Sequence, residues 1–205
     1  MRVLPCGTTA VLVEVDHLDE VLGLYAALAD APPGGVVDIV PAARTVLVVI
    51  DPAVTSLPAV AREVRATAPK QTRADSGSLV QIPVSYDGED LHEAAHLLGG
   101  DAAELIRRHT GALWTVAFSG FAPGFGYLTS PSWSEQLPRR TTPRTTVPAG
   151  AVGLAGQFSG VYPRPSPGGW QLIGRTELAM FDIAREPAAL LPPGAQVRFV
   201  DAGGS

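Results

Sequence analysis

Three groups of residues in this chain have the types and spacing to do chemistry. His92, Glu93 and His96 spell H-E-x-x-H inside "DLHEAAHLLGG", residues 90–100. On a helix, two imidazoles at i and i+4 can touch one zinc while the glutamate acts as base. Arg139, Arg140, Arg144, Arg164 and Arg175 lie between Glu135 and Glu177, a stretch with no carboxylate. Guanidiniums are permanently charged planar forks suited to carboxylate and phosphate. Ser166-Pro167-Gly168-Gly169-Trp170 pairs a hydroxyl, a rigid corner, two permissive residues and an indole. That combination makes either a tight hairpin or an anion-receiving concavity with an aromatic wall.

The zinc word is weak by itself. Leu91, Ala94, Ala95 and Leu98 share the helix face expected to pack on a core, with His92 and His96 on a flank turned away from it. A catalytic zinc needs a third protein ligand, and Ala102 stands where the extended motif has a histidine. Glu104 and His109 are at no recognised spacing, so two solvated histidines on a surface helix are expected and no metal is assigned. "GFAPGFGYL" (120–128) is not a phosphate-binding P-loop, because no Gly-Lys-Ser/Thr follows. Phe121, Phe125 and Tyr127 are there either as core aromatics or as a wall beside a pocket. No G-x-S-x-G elbow occurs, which argues against a self-contained serine hydrolase.

The chain has 205 residues, enough for one large domain or two small ones, and 46% of them are hydrophobic. A net charge of -5 disfavours a nucleic-acid surface. Cys6 is the single cysteine, so no internal disulfide forms, which fits a reducing compartment. The N-terminal "MRVLPCGTTAVLVEV" reads as strand, turn and strand rather than a leader, and no apolar run approaches the roughly 20 residues that span a bilayer. A soluble cytoplasmic protein is expected.

The elements that must position these residues fall into two groups. Strand-like "AVLVEV" (10–15), a helix over 18–30 capped by Asp16, a hairpin from "GVVDIVPA" and "TVLVVID", and a helix over 57–68 entered through Pro58 suit a small α+β sandwich. The face of the first helix is expected to be Leu18, Val21, Leu22, Tyr25 and Leu28. Polar "PKQTRADSGS" (69–78) is the expected domain boundary, giving domains of 1–75 and 79–205. Beyond it come a strand, "LVQIPVSY", helices over 89–98 and 101–109, and a strand in "ALWTVAFSG". Short strands over 143–148, 152–155, 159–162, 169–174, 178–183 and 195–200 then alternate with Gly/Pro turns, as in a β-barrel or sandwich.

Three motifs in order carry a family resemblance: F-x-P-G-F-x-Y-L at 121–128, P-R-x-x-V-P-A-G at 143–150, and G-x-Y-P-x-x-S-P-G-G-W-x-x-I-G-R-T at 160–176. They resemble the 5-oxoprolinase B-subunit family, which includes the Kip kinase inhibitors and proteins called allophanate hydrolase subunit 1. The likeness extends to "GTTAVLVEV" and "DLHEAA". It implies an α+β fold in which a small N-terminal α+β sandwich precedes a cyclophilin-like β-barrel. It also implies a C-type partner subunit in a hetero-oligomer, and ATP, with Mg, used mainly with that partner to activate a lactam carbonyl. An A-type partner then helps complete ring opening. The implied function is the B-type half of an ATP-dependent amidohydrolase acting on a small cyclic amide or urea derivative, inactive alone. The Kip likeness implies an alternative, a binding protein that inhibits a sensor histidine kinase.

The site expected on these grounds has Arg144 and Arg175 on anions, and Ser166 with the Gly168–Gly169 backbone as a cradle. Phe121, Pro123, Tyr162 and Trp170 contact substrate. His109, where the family commonly carries a histidine, is either a proton carrier or a helix-end residue serving backbone carbonyls. The arginine-bearing turns are expected to gather into one positively biased hollow completed by a companion chain. The chain departs from the pattern where Phe158 holds the usual Gln position and Ser159 the usual Thr, with Gln157 next door. Ala122 and Gly126 replace bulkier residues, which implies a wider pocket.

Overall fold

The computed structural model describes residues 1–70 and 79–203. Contacts group the chain into two compact units, Met1–Arg73 and Ala74–Ser205. The expected boundary over 69–78 falls mostly on residues outside those described.

In the first unit, β1 (Arg2–Cys6), β2 (Ala10–Glu14), β3 (Val36–Pro41) and β4 (Thr45–Ile50) form an antiparallel sheet in the order β1-β2-β4-β3. Alternation does the work in β4: Val46, Val48 and Ile50 are buried and their neighbours are half-exposed. The helices α1 (Leu18–Asp30) and α2 (Leu57–Ala66) supply Val21, Leu24, Leu28, Val60 and Val64 to the same core. The buried face of α1 includes Leu24 instead of the expected Tyr25, because Gly23 admits the backbone of Lys70, whose N–H donates to the Gly23 carbonyl at 3.0 Å. Asp16 does not cap α1. His17 holds that position, and Asp16 lies 3.8 Å from Arg44.

The second unit is built on a seven-stranded sheet ordered β12-β9-β10-β7-β6-β13-β5. Its strands are β5 (Leu79–Val84), β6 (Trp114–Ser119), β7 (Gly126–Thr129), β9 (Ala151–Ala155), β10 (Phe158–Val161), β12 (Gln171–Arg175) and β13 (Gln196–Asp201). The pairing is antiparallel except for β13 with β5. A two-stranded sheet of β8 (Arg144–Val147) and β11 (Ser166–Gly168) stands beside it. α3 (Leu91–Leu97) packs on β12 and α4 (Ala102–Gly111) on β13.

The sheet is a nearly closed barrel, and residues 85–90 make the seam. Ser85 and Arg175 exchange two backbone hydrogen bonds of 2.9 Å. Gly88 N–H then donates to the Ile173 carbonyl at 3.3 Å and Asp90 N–H to the Leu172 carbonyl at 2.9 Å. A Cβ on Gly88 would stand 2.3 Å from the Leu172 oxygen, so only glycine lets the chain lie this close to β12. Because residues 87–90 serve the seam, α3 starts at Leu91 and not at the expected 89.

Charge finishes the closure. Asp90 is 2% exposed, and its Oδ2 accepts the Leu172 N–H at 2.8 Å. Its Oδ1 accepts from Arg140 at 2.5 Å and from Arg144 at 2.8 Å. Burial alone would raise its pKa. The Arg144 hydrogen bond, the Leu172 amide and the two guanidinium charges outweigh that and hold the carboxyl below its ordinary value.

The core also contains His109, which is fully buried. The ring Nδ1 is 2.7 Å from the Tyr86 hydroxyl and Nε2 is 2.9 Å from Ser159 Oγ. Phe199 stacks on it with centroids 4.2 Å apart. Burial pushes its pKa down to about 3, so the ring is neutral, and one hydroxyl donates to it while the other accepts.

Two sequence expectations fail for visible reasons. Residues 178–183 form no strand. Their backbone pairing with 188–190 is confined to an isolated bridge of Phe181 with Ala189, and the Arg185 side chain donates to the carbonyls of Ala179, Met180, Pro187 and Ala188 around it. β7 was hidden because its Gly-rich approach reads as turn. Among the described residues no helix is long and apolar enough to cross a membrane.

Two outcomes follow for stability. Asp90→Asn removes the buried anion that Arg140 and Arg144 share and lowers unfolding free energy by about 3 kcal/mol, the low end for a broken buried pair because Arg144 keeps Glu89 and both arginines keep some solvent. Urea denaturation with an unchanged midpoint contradicts the seam described. The wild-type contribution is complete above the unfolded carboxylate value of about 3.9 and vanishes as pH falls through the lower folded value. His109 acts over a different window. The unfolded imidazole takes up a proton below about pH 6.5 that the folded one refuses, so acidification destabilises the fold. His109→Gln removes this contribution, and urea midpoints compared between about pH 6 and pH 4 should show a shallower decline. Equal declines in both proteins would mean that His109 is not held neutral.

Candidate functional site

A cavity of about 150 Å³ opens between the loop before β7 and the turn after β11. Its walls are aromatic: Phe121, Phe125, Tyr127, Tyr162 and Trp170. The Gly168–Gly169 backbone and the Arg139 side chain complete the lining. The rings meet mostly edge to face, with Phe125 at 5.4 Å from Tyr162 and 5.3 Å from Trp170. Such T-shaped packing fixes each ring through its neighbours.

Each wall has a local cause. Gly168 is small because the Tyr162 hydroxyl occupies the space beside it, 2.4 Å from where a Cβ would stand. Gly169 is tied down by its carbonyl, which accepts the Arg140 N–H at 2.8 Å. Phe121 has φ of +65°, the only non-glycine residue with positive φ among those described. A tight turn holds it there: Ala122 N–H donates to the Gly120 carbonyl at 2.7 Å. An L side chain adopts this region at a cost of about 1–2 kcal/mol, and such strain collects at ligand sites. Phe121 is 57% exposed at the cavity mouth, its ring edge to face with Phe125 and Tyr162.

The electrostatics are equally specific. Burial raises the pKa of both Tyr127 and Tyr162; Arg139 pulls Tyr127 partly back, while for Tyr162 the backbone hydrogen bond at Trp170 does so first, followed by Arg139 and Arg144. Both phenols therefore stay protonated at neutral pH and can donate hydrogen bonds. Arg139 has no carboxylate partner among the described residues. In contrast, Arg140 and Arg144 are held by Asp90, Arg144 also by Glu89 at 3.0 Å, and Arg175 by Asp87 at 2.9 Å.

Five of the ten residues expected in a site line this cavity: Phe121, Tyr162, Gly168, Gly169 and Trp170. Arg144 lies behind it, committed to Asp90 and Glu89. Arg175 lines a separate cavity of about 190 Å³ with Ser85, Thr176 and Leu178, and is paired there. The single positive hollow is therefore corrected to an aromatic cavity with one guanidinium. Ser166 does not face it, because its hydroxyl donates to the Arg164 carbonyl at 3.2 Å. Pro123 is exposed beyond the lining. His109 is in the barrel core, its ring bonded to hydroxyls rather than to backbone carbonyls, and does not line this cavity.

The departures from the family pattern are also placed. Phe158 packs against Phe118 and Tyr127, and neither it nor Gln157 lines the cavity. Ser159 is the partner of His109. The space freed at Gly126 is filled by Val116 and Leu191, so this glycine does not widen the cavity. His92 and His96 are exposed on α3, whose buried residues are Leu91, Ala94 and Ala95. Among the described residues no group of three or more His, Cys, Asp or Glu side chains could hold a metal.

Comparison with known proteins fits this architecture. The family described as carboxyltransferase domain, subdomain C and D, matches residues 1–191. The B subunit of 5-oxoprolinase from Escherichia coli O157:H7 is 37% identical over 204 residues, covering 95% of this chain and 93% of that one. A crystal structure of TTHA0988 superposes with a TM-score of 0.74 at 39% identity over 96% of this chain. The match spans 41% of TTHA0988, so the chain corresponds to less than half of that protein. K. lactis urea amidolyase shares the fold, with a TM-score of 0.79 at 19% identity over 98% of this chain and 15% of that one. By sequence and by fold, this chain belongs to the 5-oxoprolinase B-subunit family of carboxyltransferase-type domains.

Proposed function

We propose that this chain is the B-type component of an ATP-dependent amidohydrolase of the cytoplasm, and that with a C-type partner it acts on a small cyclic amide or urea derivative. The observation that carries the reading is the aromatic cavity with one unpaired guanidinium and two protonated phenols, in a chain of this family. A lactam resists water because amide resonance must be broken before the carbonyl is attacked. Protonated phenols can donate to a carbonyl oxygen and favour charge moving onto it, while aromatic walls keep water away.

ATP with Mg is the co-reactant in this reading, and this cavity does not fit it. A cavity of about 150 Å³ holds a single benzene-sized ring, and pockets for drug-sized ligands start near 300 Å³. The Arg175 cavity, at about 190 Å³, is also too small for a base, a sugar and three phosphates. The nucleotide is therefore assigned outside both cavities, mainly to the partner. What this chain contributes is a seat for the amide, on a barrel taken to be of the cyclophilin-like kind.

The test is phosphate release by the chain alone, by its C-type partner alone and by both together, with and without L-5-oxoproline. Lactam-dependent release is expected only from the mixture. Release that ignores the lactam in every mixture contradicts the proposal.

A further inference from the structure

The cavity carries one positive charge and no negative one. Three of the five guanidiniums in the acid-free stretch have carboxylate partners: Arg140 and Arg144 share the buried Asp90, Arg144 also meets the exposed Glu89, and Arg175 pairs with Asp87 at the surface. Arg164 is exposed and lines neither cavity. Arg139 alone presents its charge to the cavity, whose lining also includes Tyr127 and Tyr162. It has no hydrogen bond to another side chain or to a backbone carbonyl among the described residues, so its five N–H donors are available to a ligand. An unpaired guanidinium facing apolar walls is a half-built ion pair. The missing half is a planar anion that can meet the fork in two parallel bonds.

Size and shape narrow that anion. A volume of about 150 Å³ admits one five- or six-membered ring with its substituent. Five aromatic side chains line it, and Phe121 is held over the mouth by a left-handed backbone. Carboxylate and phosphate both suit the fork, but a phosphate borne on a nucleoside brings more atoms than the cavity can hold.

Resting on the amidohydrolase reading above, we propose that Arg139 is the residue that selects the ligand. It receives a carboxylate carried on a single small ring, the ring packs against Phe121, Tyr162 and Trp170, and the nucleotide binds elsewhere. Lactams without a carboxylate are then poor ligands, and Arg139 acts in binding and orientation rather than in bond breaking.

Calorimetric titration of the full chain with L-5-oxoproline, 2-pyrrolidone, inorganic phosphate and ATP tests this. L-5-oxoproline should bind saturably and 2-pyrrolidone more weakly. Arg139→Met should weaken L-5-oxoproline by at least about tenfold, the effect of losing a charge-assisted contact, and leave 2-pyrrolidone unchanged. Arg139→Lys should recover only part of the loss. Because Arg139 is exposed and makes no internal bond among the described residues, both variants should fold, and circular dichroism checks this. The proposal is overturned if L-5-oxoproline does not bind, if Arg139→Met binds it as tightly as wild type, or if phosphate or ATP displaces it. Its failure is separable from failure of the proposed function. Lactam-dependent phosphate release by the mixture of both chains with an unchanged KM in Arg139→Met refutes only the role of Arg139. Arg139-dependent binding without lactam-dependent release in any mixture refutes only the amidohydrolase reading.

Discussion

The buried carboxylate of Asp90 is the interaction on which the second unit depends. One oxygen holds the Leu172 amide at the start of β12, and the other holds two guanidiniums. A barrel whose edge strands meet through so few backbone bonds needs a further tie. Asp90 supplies it by joining the start of α3, the beginning of β12 and the arginines that flank the cavity. Arg140 is bound to Gly169 through its backbone and to Asp90 through its side chain, so the same carboxylate that closes the barrel also steadies the glycine wall. Buried charge is expensive unless paired and hydrogen-bonded, and here both oxygens of Asp90 have named partners, while Arg140 Nε and Arg144 Nη1 are buried without one.

This division of labour explains why the cavity is not simply a basic patch. Arg140 and Arg144 become structural because the buried Asp90 pairs with both of them. Arg139, which has no carboxylate partner among the described residues, lines the aromatic cavity with its side chain open to solvent. The protein presents a narrow, directional positive site within an acidic chain of net charge -5. A site of that kind discriminates by shape and by one anion, whereas a broad basic surface would attract many.

Much of the architecture was legible in the sequence, and the reason differs by element. α1 and the β3–β4 hairpin were readable because periodicity is local. The two aromatic-rich motifs and the Ser-Pro-Gly-Gly-Trp corner were readable because their residue types are rare and ordered, and five of the expected residues do meet at one cavity. The pairing of the arginines is not legible in the sequence because linear distance is not spatial distance. The stretch from Gln136 to Thr176 contains no acid, yet Asp87, Glu89 and Asp90 reach it from 50 to 88 residues away. The cluster "DGED" at 87–90 was the available signal, since three carboxylates so close together imply cations nearby. The burial of His109 is hard to read from the sequence for a related reason. A polar residue on an amphipathic helix can face inward when two hydroxyls wait there, and Ser159 lies 50 residues further on.

The central claim is that the aromatic cavity, and not the barrel core or the arginine-rich seam, is where the ligand binds. A crystal structure of the chain with its C-type partner and L-5-oxoproline tests this most directly. The account predicts the ring within the walls of Phe121, Tyr162 and Trp170, its carboxylate on Arg139, and Arg140 and Arg144 still on Asp90. A ligand seated elsewhere, with the cavity empty and Arg139 turned to solvent, would contradict it.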